Sequence, residues 1–218
     1  MLWFYWLASR LVDMVAWVLC RREIVGVENV PLSGPVLVIS NHLSLADPPL
    51  LGATFPRPIR FMAKEELFRP PVISWVVKGY RAYPVRRGEA DRQAYQTTLR
   101  LLHSGEMVCM FPEGHRGHKG ELLPGQPGAA VVAGRAAVPV LPVAVSGTEQ
   151  LFHWPRTSLR PLVRIVIGRP FAIAPITRGA AKEELAKQTR YMMAKIAELL
   201  PPDYRGAQGD ERFDVRAS

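Results

Sequence analysis

Val36-Leu37-Val38-Ile39-Ser40-Asn41-His42-Leu43-Ser44-Leu45-Ala46-Asp47-Pro48-Pro49 is the stretch on which the reading of this chain turns. Val36 to Ser40 is an apolar, β-branched run of strand length, which predicts a buried strand. A polar loop follows. Pro48 suits the first turn of a helix, where its missing N–H is no loss. A buried strand feeding a helix through a polar loop is the repeating unit of an α/β fold, and ligand sites in such folds gather at the carboxyl ends of the strands.

The rest of the chain repeats the unit. Strands are predicted at Ile59 to Ala63, Ala82 to Val85, Met107 to Phe111, Val138 to Val145 and Val163 to Ile167. Helical pieces are predicted over Lys64 to Lys78 around Pro70 and Pro71. Further helices are predicted at Glu89 to His103, Gly128 to Ala137 and Ala180 to Leu200. In the last of these, Leu185, Thr189, Met192, Ile196 and Leu199 share one side. The expected architecture is a mostly parallel central sheet flanked by helices.

Composition bounds the function. The 218 residues carry a net charge of +9 and are 48% apolar, which suits one ordinary globular domain. Cys20 and Cys109 are too few for a disulfide framework or a cysteine-rich zinc module. An excess of cations points to an anionic partner: nucleic acid, a membrane surface or a phosphorylated substrate. The basic residues are scattered and no nucleic-acid-binding motif accompanies them.

Residues 2–20 hold 16 apolar residues out of 19. Arg10 and Asp13 lie within the segment and argue against a bilayer span. On a helix, Trp3, Trp6, Arg10, Asp13 and Trp17 share one face, while Leu7, Leu11, Met14, Val15 and Val18 take the other. Tryptophan favours the headgroup level and Arg21 and Arg22 favour anionic lipid, so a monotopic or peripheral interfacial helix is expected. A helix packed on the protein's own core, or a dimer contact, is the alternative. The chain therefore divides into an interfacial helix (1–23), a catalytic domain (24–202) and a polar tail (203–218).

Three loops at predicted strand ends carry candidate chemistry. The first holds His42 and Asp47, with Asn41 and Ser44 beside them. A carboxylate on one imidazole nitrogen fixes the tautomer and lets the other nitrogen take a proton from a hydroxyl. No serine or cysteine elbow accompanies the pair, which favours direct proton abstraction over a covalent intermediate. The same residues fit a plain helix cap at Asp47 and a structural histidine. Arg86 and Arg87 form the second group. The third is Phe111-Pro112-Glu113-Gly114-His115-Arg116. Here Gly114 allows close backbone approach, Arg116 can hold a phosphate through two donors, and Glu113 can accept from a hydroxyl or hold the arginine. A surface turn with an ion pair fits these residues too. His115 and His118 have no third ligand, so no metal is expected, and no nucleotide fingerprint is present.

At these residues the chain resembles the 1-acylglycerol-3-phosphate (lysophosphatidic acid) acyltransferases of the glycerolipid acyltransferase superfamily. The family's Asn-His, four residues, Asp-Pro pattern matches Asn41, His42, Asp47 and Pro48. Its Phe-Pro-Glu-Gly-x-Arg block matches Phe111 to Arg116, its Pro-Val-x-Arg block Pro84, Val85 and Arg87, and its late apolar-proline block Val138 to Pro142. The resemblance covers about residues 24–170. It implies transfer of a fatty acyl group from acyl-CoA or acyl-carrier protein, a co-substrate rather than a cofactor, to a lysophospholipid hydroxyl on the cytoplasmic membrane face. Acceptors under the same chemistry are 1-acylglycerol 3-phosphate, glycerol 3-phosphate or another lyso-lipid; the alternative of another class is a silent lipid-binding protein. By resemblance His42 is the base, Asp47 its orienting carboxylate, Arg87 and Arg116 phosphate ligands, and Glu113 an acceptor-binding or site-shaping residue. Two departures are expected on the acceptor side: His115 where the family usually has threonine, and Arg81 where it commonly has glycine.

Overall fold

A computed structural model describes residues 2–86, 91–117, 120–152, 159–176 and 181–206. It contains a seven-stranded sheet: β1 (Arg21–Val25), β2 (Val36–Ser40), β3 (Ile59–Lys64), β4 (Tyr83–Val85), β5 (Met107–Met110), β6 (Val140–Ser146) and β7 (Leu162–Ile167). The strands lie in the order β1-β7-β6-β2-β5-β3-β4. The five from β6 to β4 run parallel, and the β7–β1 pair runs against them through the antiparallel β6–β7 contact. The expected mostly parallel α/β sheet is what the chain builds.

β2 sits at the centre because every residue in Val36–Ser40 is apolar or small and all are buried. Its alternate side chains feed two separate cores. Val36 and Val38 join the layer under α1 (Leu2–Leu19) and α2 (Asp47–Thr54), while Leu37 and Ile39 join the layer under α4 (Arg92–His103), α5 (Gly128–Ala136) and α6 (Lys182–Ala197). A further helix, α3 (Pro71–Gly79), lies beside α1. In α6 the predicted inward side holds, with Thr189, Met192 and Ile196 buried.

Three sequence expectations need correction. β1 was not anticipated, and the boundary drawn at residue 23 runs through it. Its sequence, Arg-Arg-Glu-Ile-Val, is that of an exposed edge strand, where charge guards an open hydrogen-bonding edge. The helix expected from Glu89 has Asp91 as its cap, whose carboxylate accepts from the N–H groups of Gln93 and Ala94, so α4 starts at Arg92. Residues 203–206, drawn into the polar tail, are bonded to the domain: Tyr204 donates to Glu149, and its carbonyl accepts from the N–H of Leu122. The N-terminal helix buries neither predicted stripe. Its inward residues are Tyr5, Ser9 and Ala16. The Tyr5 hydroxyl donates to the Gly52 carbonyl at 3.0 Å and accepts from the Ile59 N–H at 3.3 Å, which fixes α1 against α2 and β3.

Candidate active site

The loop from Asn41 to Ala46 leaves the carboxyl end of β2 and enters α2 at Asp47. Asp47 is fully buried and caps no N–H of its own helix; Ala46 holds the cap position without a side-chain bond. The Asp47 carboxylate instead turns back on the loop. Its Oδ2 accepts from the N–H of Leu43 at 2.7 Å, from the N–H of Ser44 at 2.8 Å and from Nδ1 of His42 at 2.8 Å. The other oxygen, Oδ1, accepts from the Thr148 hydroxyl at 2.5 Å. One carboxylate thus shapes the loop and orients the imidazole. With Asp47 accepting throughout, the proton of the pair sits on Nδ1, and Nε2 keeps its lone pair. The imidazole also stacks on Phe111, with ring centres 4.1 Å apart and planes 19° off parallel.

Asn41 is buried and spends its amide on backbone. Its side-chain amide donates to the Val145 carbonyl and accepts from the Val145 N–H, both at 2.8 Å, imitating a backbone pairing that locks the end of β2 to β6. Ser44 is buried, and its hydroxyl accepts from the Ala46 N–H within the turn.

The second loop, after β5, is fastened to the first. Glu113 is buried, and both its oxygens are taken by backbone: Oε1 by the His42 N–H at 2.7 Å and Oε2 by the Leu123 N–H at 2.9 Å. Among the described residues it meets neither a side-chain hydroxyl nor an arginine. Of the two roles expected for it, the geometry fits site-shaping. Burial pushes its carboxyl up to about 7, against the pull of the two N–H bonds. The N–H of Gly117 donates to the His42 carbonyl at 3.0 Å, so His42 is held on both backbone sides. Gly114 turns the chain at φ +75°, where a side chain would be strained. Gly114, His115 and Arg116 are exposed, and Arg116 makes no ion pair or hydrogen bond with a described residue. This cation lies three residues beyond the buried Glu113.

The third group is less well placed. Arg86 follows β4, three strand positions from β2, roughly 14 Å across the sheet. Its Nε pairs with Glu65 at 2.8 Å. Arg87 and His118 lie outside the described residues. Arg81 is not on the acceptor side. Its guanidinium bonds Glu106, which precedes β5, so the side chain reaches the amino end of that strand, away from His42. There Glu106 also takes a two-point contact from Arg60. Arg81 has φ +59°, the left-handed region that favours glycine. Among the described residues no cluster of His, Cys, Asp and Glu suits a metal.

Two residues of the site lay outside the sequence reading. Phe111 stood inside a motif but was given no task. Thr148, 101 residues from Asp47, had no local pattern to mark it.

Comparison with known proteins fits this arrangement. The family model described as Acyltransferase matches residues 21–146. A Bacillus subtilis (strain 168) protein named 1-acyl-sn-glycerol-3-phosphate acyltransferase is 31% identical over 176 residues, covering 79% of this chain and 84% of its own. A chloroplastic Brassica napus protein of the same name is 30% identical over 187 residues; these are 83% of this chain but 52% of that one, so the chain spans about half its length. The solved structure of the 1-acyl-sn-glycerophosphate (LPA) acyltransferase PlsC from Thermotoga maritima superposes with a TM-score of 0.68 at 28% identity, over 84% of this chain and 74% of that one. With the matched region spanning both the His42 and Glu113 loops, the chain belongs to the acyltransferase family.

Proposed function

We propose that the protein moves a fatty acyl group from an acyl thioester to the free hydroxyl of 1-acylglycerol 3-phosphate, giving phosphatidic acid. The observation that carries this is the His42 imidazole, pinned through Nδ1 to a four-times-bonded Asp47 with Nε2 left to work. Nε2 takes the proton of the acceptor hydroxyl as its oxygen attacks the thioester carbonyl carbon. The tetrahedral intermediate collapses, the C–S bond breaks, and the proton passes from Nε2 to the departing thiolate. Asp47 stabilises the imidazolium in between. Such base catalysis contributes ~10²–10⁴-fold, and a held acceptor adds the gain of an effectively unimolecular attack.

Direct transfer is supported by the state of the nearest thiol. Cys109 is buried in β5, and desolvation, reinforced by the charge of Asp47, pushes its pKa up, away from the thiolate a nucleophile needs. In this reading Arg116 meets the acceptor phosphate, Arg87 is a second phosphate ligand by the family resemblance, Gly114 lets the backbone approach, and Glu113 and Asn41 hold the loops. The sheet from β1 onward, with its helices, carries the chemistry, and α1 before it brings it to lipid on the cytoplasmic face of a membrane. The acyl donor, acyl-CoA or acyl-carrier protein, enters as a co-substrate.

The test is purified protein with labelled acyl-CoA or acyl-carrier protein and a panel of acceptors. Label is expected in phosphatidic acid from 1-acylglycerol 3-phosphate, ahead of glycerol 3-phosphate and of lyso-lipids without a phosphate monoester. Equal turnover on uncharged lyso-lipids would refute the assignment of the acceptor, and no turnover on any hydroxyl acceptor would refute the reaction.

A further inference from the structure

A helix on the surface of a water-soluble domain turns apolar residues inward and polar ones outward. Two adjacent helices here do the reverse. α3 buries Ser74 and Gly79 while exposing Val72 (73%), Ile73, Trp75 (62%) and Val76. α1 buries Tyr5, Ser9 and Ala16 while exposing its three tryptophans and most of its leucines and valines. The two are seated on each other: Phe4 of α1 meets Trp75 edge-on at 4.3 Å, and its ring fills the space over Gly79, where an added Cβ would lie 1.8 Å from it. The result is one apolar face built from two helices, far beyond the scattered apolar residues an ordinary surface carries.

Charge surrounds this face. Arg10 on α1, Arg69 just before α3 and Lys78 near its end are exposed. On the acidic side, Asp13 is paired with Arg22 at 2.7 Å, Glu65 is paired with Arg86, and Glu66 remains exposed one turn before α3. A second copy docked face to face would set Arg10, Arg69 and Lys78 against themselves. An anionic bilayer satisfies both halves of the pattern, apolar side chains entering the acyl region and cations meeting phosphates. Leu45, 62% exposed, is an apolar side chain on the loop that carries His42.

We propose that α3 is a second membrane-docking helix, forming with α1 a two-limbed surface that seats on anionic phospholipid and sets the His42 loop at the headgroup level. The proposal rests on the acyltransferase reading only for why the protein must reach lipid; its test does not use turnover. Truncation of α1 is unsuitable, because Tyr5 and Ala16 belong to the core. A full-length protein with Trp3→Phe, Trp6→Phe, Trp17→Phe and Trp154→Phe keeps Trp75 as its one tryptophan. On vesicles of phosphatidylglycerol and phosphatidylcholine with brominated acyl chains, Trp75 emission should shift to the blue and be quenched at least twofold. Separately, Val72→Asp with Ile73→Asp should lower partitioning onto the same vesicles at least tenfold, with circular dichroism unchanged.

Unquenched Trp75 in vesicle-bound protein overturns the proposal, as does a double aspartate variant that partitions like the wild type. A lipid-free dimer that the double variant dissociates, with vesicle binding unaltered, overturns it in favour of a second copy. Quenched Trp75 in a protein inactive on every acceptor supports the surface and overturns the reaction instead.

Discussion

The His42 loop and the α1–α3 face break the rule of burial in opposite directions. At the first, an aspartate, a glutamate, an asparagine and a histidine are buried. All but Nε2 of the imidazole is tied: Asp47 by four donors, one of them Nδ1 of His42, Glu113 by two N–H groups, Asn41 by both backbone groups of Val145. At the second, tryptophans, valines and leucines stand in solvent while two serines, a glycine, an alanine and one tyrosine take the inside. Buried polar groups are costly unless paired, so a fully paired set marks a place where geometry is being held fixed. Exposed apolar groups lose nothing if another phase covers them. The first region sets what the protein does, and the second sets where it does it.

Substitutions separate the two regions by size of effect. Asp47→Asn should be the most severe. The amide cannot accept from the Leu43 and Ser44 N–H groups and from Nδ1 as the carboxylate does, and it favours the wrong tautomer. Turnover is expected to fall about 10²–10⁴-fold while vesicle binding is unchanged. Activity and sedimentation with vesicles measured on the same preparation check this, and parallel losses would break the separation.

Glu113→Gln should act on stability as well. Its one carbonyl oxygen can serve either the His42 or the Leu123 N–H, leaving the other facing an NH₂, at a cost of about 1–3 kcal/mol in a melt. The pH dependence has a definite sign. A carboxyl held at about 7 in the folded protein keeps a proton that the unfolded chain has already released. Wild-type stability should therefore fall as pH rises from the ordinary glutamate range to about 7 and level off above it. The glutamine variant lacks this term, so the gap in Tm between the two should narrow from pH 5 to pH 8.

Arg116→Ala should raise KM for the phosphate-bearing acceptor about tenfold, as expected for one charge-assisted contact, and leave the KM of the acyl donor unchanged. Arg116→Lys should recover only part, lacking the planar two-donor fork. Steady-state kinetics with each substrate varied in turn would reveal equal shifts if Arg116 served the donor or the fold. Smallest of all, Arg22→Ala removes a half-exposed pair with Asp13 and should cost less than about 1 kcal/mol, with unaltered turnover. A larger loss by calorimetry would mean that the pair, and not Tyr5, sets the angle of α1.

How much of this was legible in the sequence follows from the range of the interactions. β2, the loop and α2 were readable because a buried run, a polar turn and Pro48 are neighbours in the chain. The His42–Asp47 pair spans five residues and was readable for the same reason. Thr148 reaches Asp47 from another strand end, and hydropathy gives no mark to such a residue. Arg81 illustrates the reverse error: it stands near a motif in sequence, while its guanidinium turns back to Glu106 at the amino end of β5. In α1 the spacing of large side chains suggested two faces, but the inward face is set by hydroxyls and an alanine at Tyr5, Ser9 and Ala16. β1 was passed over because its charges are those of an edge.

The claim on which all of this depends is that Nε2 of His42 takes the acceptor's proton. Turnover of purified His42→Ala with labelled acyl donor and 1-acylglycerol 3-phosphate, beside a melt and a vesicle-binding measurement on the same protein, tests it most directly. Turnover should fall by at least ~10²-fold, with the melt within a few degrees of wild type and vesicle binding intact. Near-wild-type turnover in that folded, membrane-bound variant would contradict the account.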